Sequence, residues 1–137
     1  MRVLLDTNVL VSAILFGGVP RQVLEAVLTG ELDVVTSPAL MSELEGILIR
    51  KFRFRSTAAA SSRAEFETLA EVVEPIDVPR VMVDVADDEV LAAAVAGRAE
   101  SIVTGDKELL ELGRYKGIVI ESPRSFIDRT GEEDQDG

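Results

Sequence analysis

The chain has no cysteine, no histidine and no tryptophan, and aromatic residues make up only 4% of its 137 positions. Each absence removes some chemistry. Without cysteine there is no disulfide, no thiol nucleophile and no thiolate metal site; without histidine there is no imidazole acid or base near neutral pH. No stretch of about 18 apolar residues reads as a membrane-spanning helix, and no secretory h-region precedes the first apolar run, which starts at Val3. The chain therefore reads as a soluble cytoplasmic protein. Its chemistry must come from carboxylates, hydroxyls, amides, lysines and arginines.

Aliphatic residues and acids are what the chain has in quantity. The hydrophobic share is 47%. With so few rings the core must be built from Val, Leu, Ile and Ala, which suits a parallel sheet covered by helices. The length fits one domain. A formal net charge of −11 argues at first against a nucleic-acid partner, because phosphates attract basic surfaces. However, Glu132, Glu133, Asp134 and Asp136 lie in a polar tail, and discounting them brings the charge of −11 to about −7. The expected division is a domain over residues 1–128 and an acidic, disordered tail over 129–137.

Read in order, Val3-Leu4-Leu5 is an apolar run suited to a strand buried on both faces, and it ends on Asp6. Val9, Leu10, Ala13, Ile14 and Phe16 then follow helical spacing until Gly17-Gly18. Pro20 opens a second helix with Val23, Leu24, Val27 and Leu28 on one stripe. Leu32 to Val35 is a second strand, and Ser37-Pro38 caps a third helix carrying Leu40, Leu44, Ile47 and Leu48. A fourth helix carries Phe66, Leu69, Ala70 and Val73, and the segment from Ile76 to Val83 allows one more short strand. A fifth helix opens at Asp84 to Glu89 and points Leu91, Ala92 and Val95 inward. Ser101 to Thr104 and Ile118 to Ile120 are strands, with a short helix after Gly105-Asp106 and a closing one after Ser122-Pro123. Alternating strands and helices predict an α/β fold with right-handed crossovers around a parallel sheet.

Asp6, Glu43, Asp88 and Asp106 all fall at a strand end, a helix start or an inward helical position. Singly, each aspartate has an ordinary explanation as a helix cap or turn residue. Glu43 does not, because it lies inside its helix on the apolar side. If the four converge, carboxylates about 4 Å apart repel by roughly 4 kcal/mol per pair at an effective dielectric of about 20. Raised pKa values or a divalent cation would relieve that repulsion. A site made only of oxygen ligands suits Mg²⁺ or Mn²⁺, ions able to activate water and to hold a phosphodiester.

The segments Leu-Leu-Asp-Thr-Asn-Val-Leu, Ser-Pro-Ala-Leu-Met-Ser-Glu-Leu, Asp-Asp-Glu-Val-Leu-Ala-Ala-Ala and Ile-Val-Thr-Gly-Asp-Lys-Glu-Leu-Leu, in that order, resemble a PIN domain over residues 1 to 127. The likeness is greatest to the toxin components of toxin–antitoxin systems related to the VapC ribonucleases. It implies a three-layer α/β/α fold around a central parallel sheet. It also implies an endoribonuclease that uses Mg²⁺ or Mn²⁺ held by Asp6, Glu43, Asp88 and Asp106. Asp88 is chosen over the adjacent Asp87 for its spacing to Leu91 and Ala92, which leaves Asp87 as a cap. Family analogy further makes Thr7, Asn8 and Thr104 candidates for orienting an acid or water, and implies an RNA substrate, a cognate antitoxin and a homodimer, with no membrane. The alternative is a PIN-like module that binds RNA or protein without cutting.

Other folds of this class fit less well. A receiver-type domain wants an acidic pair after its first strand, and a haloacid-dehalogenase-type phosphatase wants Asp-x-Asp where this chain has Asp-Thr-Asn; the glycine spacing of a P-loop is absent. Arg50-Lys51-Phe52-Arg53-Phe54-Arg55 mixes cations and rings as phosphate-and-base contacts do, although cations also favour a helix C-terminus and rings anchor a turn. Lys107, Arg114 and Lys116 are further candidates for phosphate contact.

Overall fold

The apolar runs become strands and the helical stripes become helices. A computed structural model describes the backbone of residues 1–136 and the side chains as far as Gly131. The elements in order are β1 (Arg2–Leu5), α1 (Thr7–Leu15), α2 (Gly18–Leu28), β2 (Asp33–Thr36), α3 (Pro38–Arg50), α4 (Ser56–Leu69), β3 (Ala70–Val72), α5 (Val85–Ala96), β4 (Ser101–Val103), α6 (Lys107–Leu112), β5 (Arg114–Tyr115), β6 (Ile118–Glu121) and α7 (Pro123–Asp136).

The sheet order is β3-β2-β1-β4-β6-β5. Four neighbouring pairs are parallel, with Leu4 opposite Val35 on one side and Ile102 on the other. Adjacent residues of β1 face opposite layers, as a period of two requires. Val3 and Leu5 join a core with Val9, Leu10, Val23, Met41, Leu44 and Phe126. Leu4 joins another with Leu91, Ala94, Ile102, Leu109 and Ile120. Helices therefore cover both faces, which makes the three-layer α/β/α sandwich.

Three local expectations change. The fourth helix ends at Leu69, and Ala70–Val72 is the outer strand, paired with Val34 to Thr36. Residues 76–83 form no strand. Pro75 and Pro79 each lack an N–H for a ladder, and Asp88 holds part of this loop by side-chain contacts. The sheet is also not wholly parallel, because β5 pairs antiparallel with β6 across Lys116-Gly117. Both turn residues have positive φ (47° and 80°), as a two-residue type I′ hairpin needs. Beyond residue 128, in α7, Arg129 pairs with Glu121 and the Thr130 hydroxyl donates to the Phe126 carbonyl. The acidic side chains beyond residue 131, and Gly137 altogether, lie outside the described residues, so the expected disorder there has no counterpart to compare.

Chain topology sets the site. After β1 the chain adds β2 and β3 on one side, then returns to add β4 on the other. The ends of β1 and β4 thus flank the point where the winding reverses, the crevice in which open α/β sheets bind ligands.

Candidate metal centre

Asp6 follows the last residue of β1 and caps α1. Its Oδ1 accepts from the Thr7 N–H at 2.7 Å and its Oδ2 accepts from the Thr104 hydroxyl at 2.7 Å. The Thr104 Oγ1 in turn accepts from the Asp106 N–H at 3.0 Å, and Asp106 Oδ1 caps α6 by accepting from the Leu109 N–H at 3.1 Å. One buried hydroxyl at the end of β4 therefore ties together the two aspartates that follow the two central strands.

The third acid reaches this point from α5. Asp84 caps that helix, accepting from the Ala86 N–H at 2.9 Å, which places Asp87 and Asp88 in its first turn. Both are buried, and their surroundings differ. Asp88 Oδ1 accepts from the N–H groups of Val81 and Met82, at 3.0 and 2.8 Å, and so fastens the loop before the helix. Asp87 faces the crevice, where Asp87, Asp106 and Glu108 can each bring a carboxylate oxygen within 4.8 Å of the others. Asp88, the acid expected at the third position, thus uses its Oδ1 on backbone donors, whereas Asp87, expected to be a cap, stands among the acids.

Electrostatics describe the same cluster. Burial pushes the Asp87 carboxyl up to about 6, helped by the charges of Asp106, Asp84, Asp6 and Glu108. Burial also raises the Asp6 carboxyl, with Asp106 adding to the rise and the Thr104 and Thr7 hydrogen bonds opposing it. Glu43, half-buried on α3, is raised by burial and then by Asp6 and Asp84, while Arg50 and Lys51 pull it down. Three carboxylates held above their ordinary values, with no base among them, describe a site that lacks positive charge.

The donor set is carboxylate oxygen throughout. Beside Asp6, the Thr7 hydroxyl is buried without a hydrogen-bond partner. Hard oxygen donors and unrelieved negative charge fit a divalent cation. Of the flanking polar residues, Thr104 joins the network, whereas Asn8 is exposed and its side chain forms no hydrogen bond among the described residues. Lys107 directly follows Asp106 and reaches only Glu111, at 4.0 Å, while Arg114 and Lys116 lie in the edge hairpin. Sequence analysis placed Asp84 only as the opening of the fifth helix and did not weigh Glu108; Asp84 stands three residues before the Asp87-Asp88 pair, a capping position.

A groove of about 780 Å³ runs along the 73–79 segment, α5 and Tyr115, and none of the clustered acids lines it. No single helix among the described residues is long and apolar enough to cross a membrane. Taken together, α1 and α2 have the necessary composition, but they are bent by 98°, and α1 packs in the core.

Comparison with known proteins agrees with this architecture. The crystal structure of VapBC2 from Rickettsia felis, bound to a DNA fragment from their promoter, contains a chain that superimposes with a TM-score of 0.62. The two are 19% identical, and the match covers 89% of this chain and 98% of that one. No curated protein matches. A family model described as the PIN domain matches residues 2–108, a span that includes Asp6, Glu43, Asp87 and Asp106. The chain belongs to the PIN domain family.

Proposed function

We propose that this protein is a divalent-cation-dependent endoribonuclease, the toxin of a type II toxin–antitoxin pair. The observation that carries the reading is the convergence of Asp6, Asp87 and Asp106, with Glu43 on the facing helix, at the point where the sheet's winding reverses. Asp6, Asp87 and Asp106 would hold Mg²⁺ or Mn²⁺, with Glu43 and Glu108 at the margin. When bound, such an ion neutralises phosphodiester charge and lowers the pKa of water. The chain's own groups contribute orientation. Thr104 fixes Asp6 Oδ2, Asp106 is held by its own helix N-terminus, and Asp84 sets the first turn that aims Asp87. The chain has no histidine to serve as a general base.

The toxin role rests on the family and on the fold shared with a chain of the VapBC2 complex. An antitoxin and a second copy of this chain are the expected protein partners, in the cytoplasm where RNA is available. Ile76, at 97% exposed, and Val83, fully exposed, supply apolar surface of the kind protein interfaces use. The deciding experiment follows cleavage of an end-labelled single-stranded RNA with Mg²⁺, Mn²⁺ or EDTA. The native protein should cut only with metal, and Asp6→Asn and Asp87→Asn should lose at least about a hundredfold in rate, the lower end of what loss of a charge-stabilising group costs. Metal-independent cutting would sink the reading. Binding without any cutting would move it to a non-catalytic RNA- or protein-binding module.

A further inference from the structure

We infer that the turn between α3 and α4 is the track that holds single-stranded RNA on one side of the cleavage site; this rests on the nuclease reading above. In a chain with a formal net charge of −11, four cations crowd into six positions, Arg50, Lys51, Arg53 and Arg55. All four are exposed, and none forms an ion pair or side-chain hydrogen bond among the described residues. Elsewhere on the surface, by contrast, Arg2 pairs with Glu71, and Arg63 pairs with both Glu45 and Glu67.

Helix dipoles do not account for this group. Arg50 and Lys51 end α3, where a cation is favourable. Arg55, in contrast, is the N-cap of α4, the positive end of a helix of 14 residues, and makes no side-chain capping bond. Arg53 has φ 57°, a backbone conformation that is costly for a side chain bearing a Cβ. Arg55 is thus a cation held where the helix field disfavours it, and an anion outside the chain would offset that.

The track adjoins the site. Arg50 lies seven residues after Glu43 on the same helix, so both share a face about 10 Å apart along the axis. At the turn, the Phe16 ring is 71% exposed and stands edge-on to Phe52, which lies between Lys51 and Arg53, with centroids 5.9 Å apart. Phe52 is anchored in the core, so Phe16 is the ring offered to solvent. Cations that follow a backbone beside an exposed ring are the elements of sequence-tolerant single-strand binding.

The test measures fluorescence anisotropy of a labelled, mixed-sequence single-stranded RNA in EDTA across a range of KCl concentrations, on Asp6→Asn protein. Adding Arg53→Gln and Arg55→Gln should weaken binding and flatten the slope of log K against log salt by about 0.7 for each phosphate no longer neutralised. Adding Phe16→Ala instead should weaken binding by about fivefold or more and leave the slope unchanged. No RNA binding by Asp6→Asn, or unchanged affinity and slope in both variants, would overturn the track. The two readings fail separately. Native protein that binds RNA through these residues but leaves it uncut with Mg²⁺ loses the nuclease and keeps the track; cutting that survives all three substitutions with unchanged KM loses the track and keeps the nuclease.

Discussion

Asp87 and Asp88 are neighbours in the chain and do opposite work. Asp88 accepts two backbone N–H groups, so Asp88→Asn weakens charge-assisted bonds and should destabilise the fold by about 1–3 kcal/mol. Asp87 faces other acids, so Asp87→Asn should stabilise the metal-free protein at neutral pH while removing its response to Mg²⁺. Thermal unfolding with and without the ion distinguishes the two; a metal response lost in Asp88→Asn and kept in Asp87→Asn would return the third position to Asp88. The sign of the pH dependence follows from the same group. The Asp87 carboxyl is raised from 3.8 to about 6 in the folded state, so between these values the folded chain holds a proton that the unfolded chain has lost. Its contribution to stability is therefore full below about pH 4 and is lost as pH rises through about 6, with the raised Asp6 and Glu43 adding to the trend. In EDTA the melting temperature should fall over that window, and saturating Mg²⁺ should flatten or reverse the fall. Thr104 couples two acids through one oxygen, so Thr104→Val should cost about 1–3 kcal/mol and weaken metal affinity roughly 10- to 100-fold, as loss of a group orienting a ligand does. A calorimetric titration with Mn²⁺ would measure that loss.

Among the elements, α5 decides how the crevice is built. Val90, Leu91, Ala92, Ala93 and Ala94 are all buried, so this helix has almost no wet face over its middle turns. It docks closely on β2. A Cβ on Gly97, just past its end, would overlap the Val35 side chain. The Gly97 carbonyl meanwhile accepts from the Arg2 guanidinium, at 2.9 Å from Nε. Gly97→Ala should therefore cost about 1–3 kcal/mol, as overpacking does, and should tilt α5, whose other end carries Asp87. Urea unfolding gives the first quantity and Mn²⁺ affinity the second; a variant as stable as the native protein would show that the helix shifts freely. The opposite end of the sheet has its own polar fastening. Buried Glu121 accepts from the Ser101 hydroxyl at 2.6 Å and pairs with Arg129 of α7, which secures the last helix against β6.

Over the whole molecule, charge is sorted and not merely negative. Acids gather at the reversal point, unpaired cations gather on the turn after α3, and exposed aliphatic side chains gather between Ile76 and Val85. The strands, the helices and the α/β class were legible in the residues, because aliphatic runs and helical stripes are local signals of burial. Asp6 and Asp106 were legible for a related reason: Asp6 directly follows an apolar run and Asp106 comes three residues after one, and a strand in a wound sheet leads the residues after it to the ligand-binding edge. Glu43 showed itself as a charge on an apolar stripe. The edge strands were harder. β3 and β5 are three and two residues long, too short for a period to show, and each forms only because a neighbouring strand offers a ladder. The choice between Asp87 and Asp88 lay beyond sequence altogether. A helix buried on nearly every side has no stripe to read, and its docking alone decides which carboxylate meets backbone N–H groups and which meets other acids. By itself, then, the sequence determined the layers, the core composition and the places of Asp6, Glu43 and Asp106, because those depend on neighbours in the chain. Tertiary structure alone decided which neighbours Asp87 and Asp88 meet, the hydroxyl that joins Asp6 to Asp106 and the lack of ion pairs at four cations among the described residues, because those depend on groups brought together from distant positions.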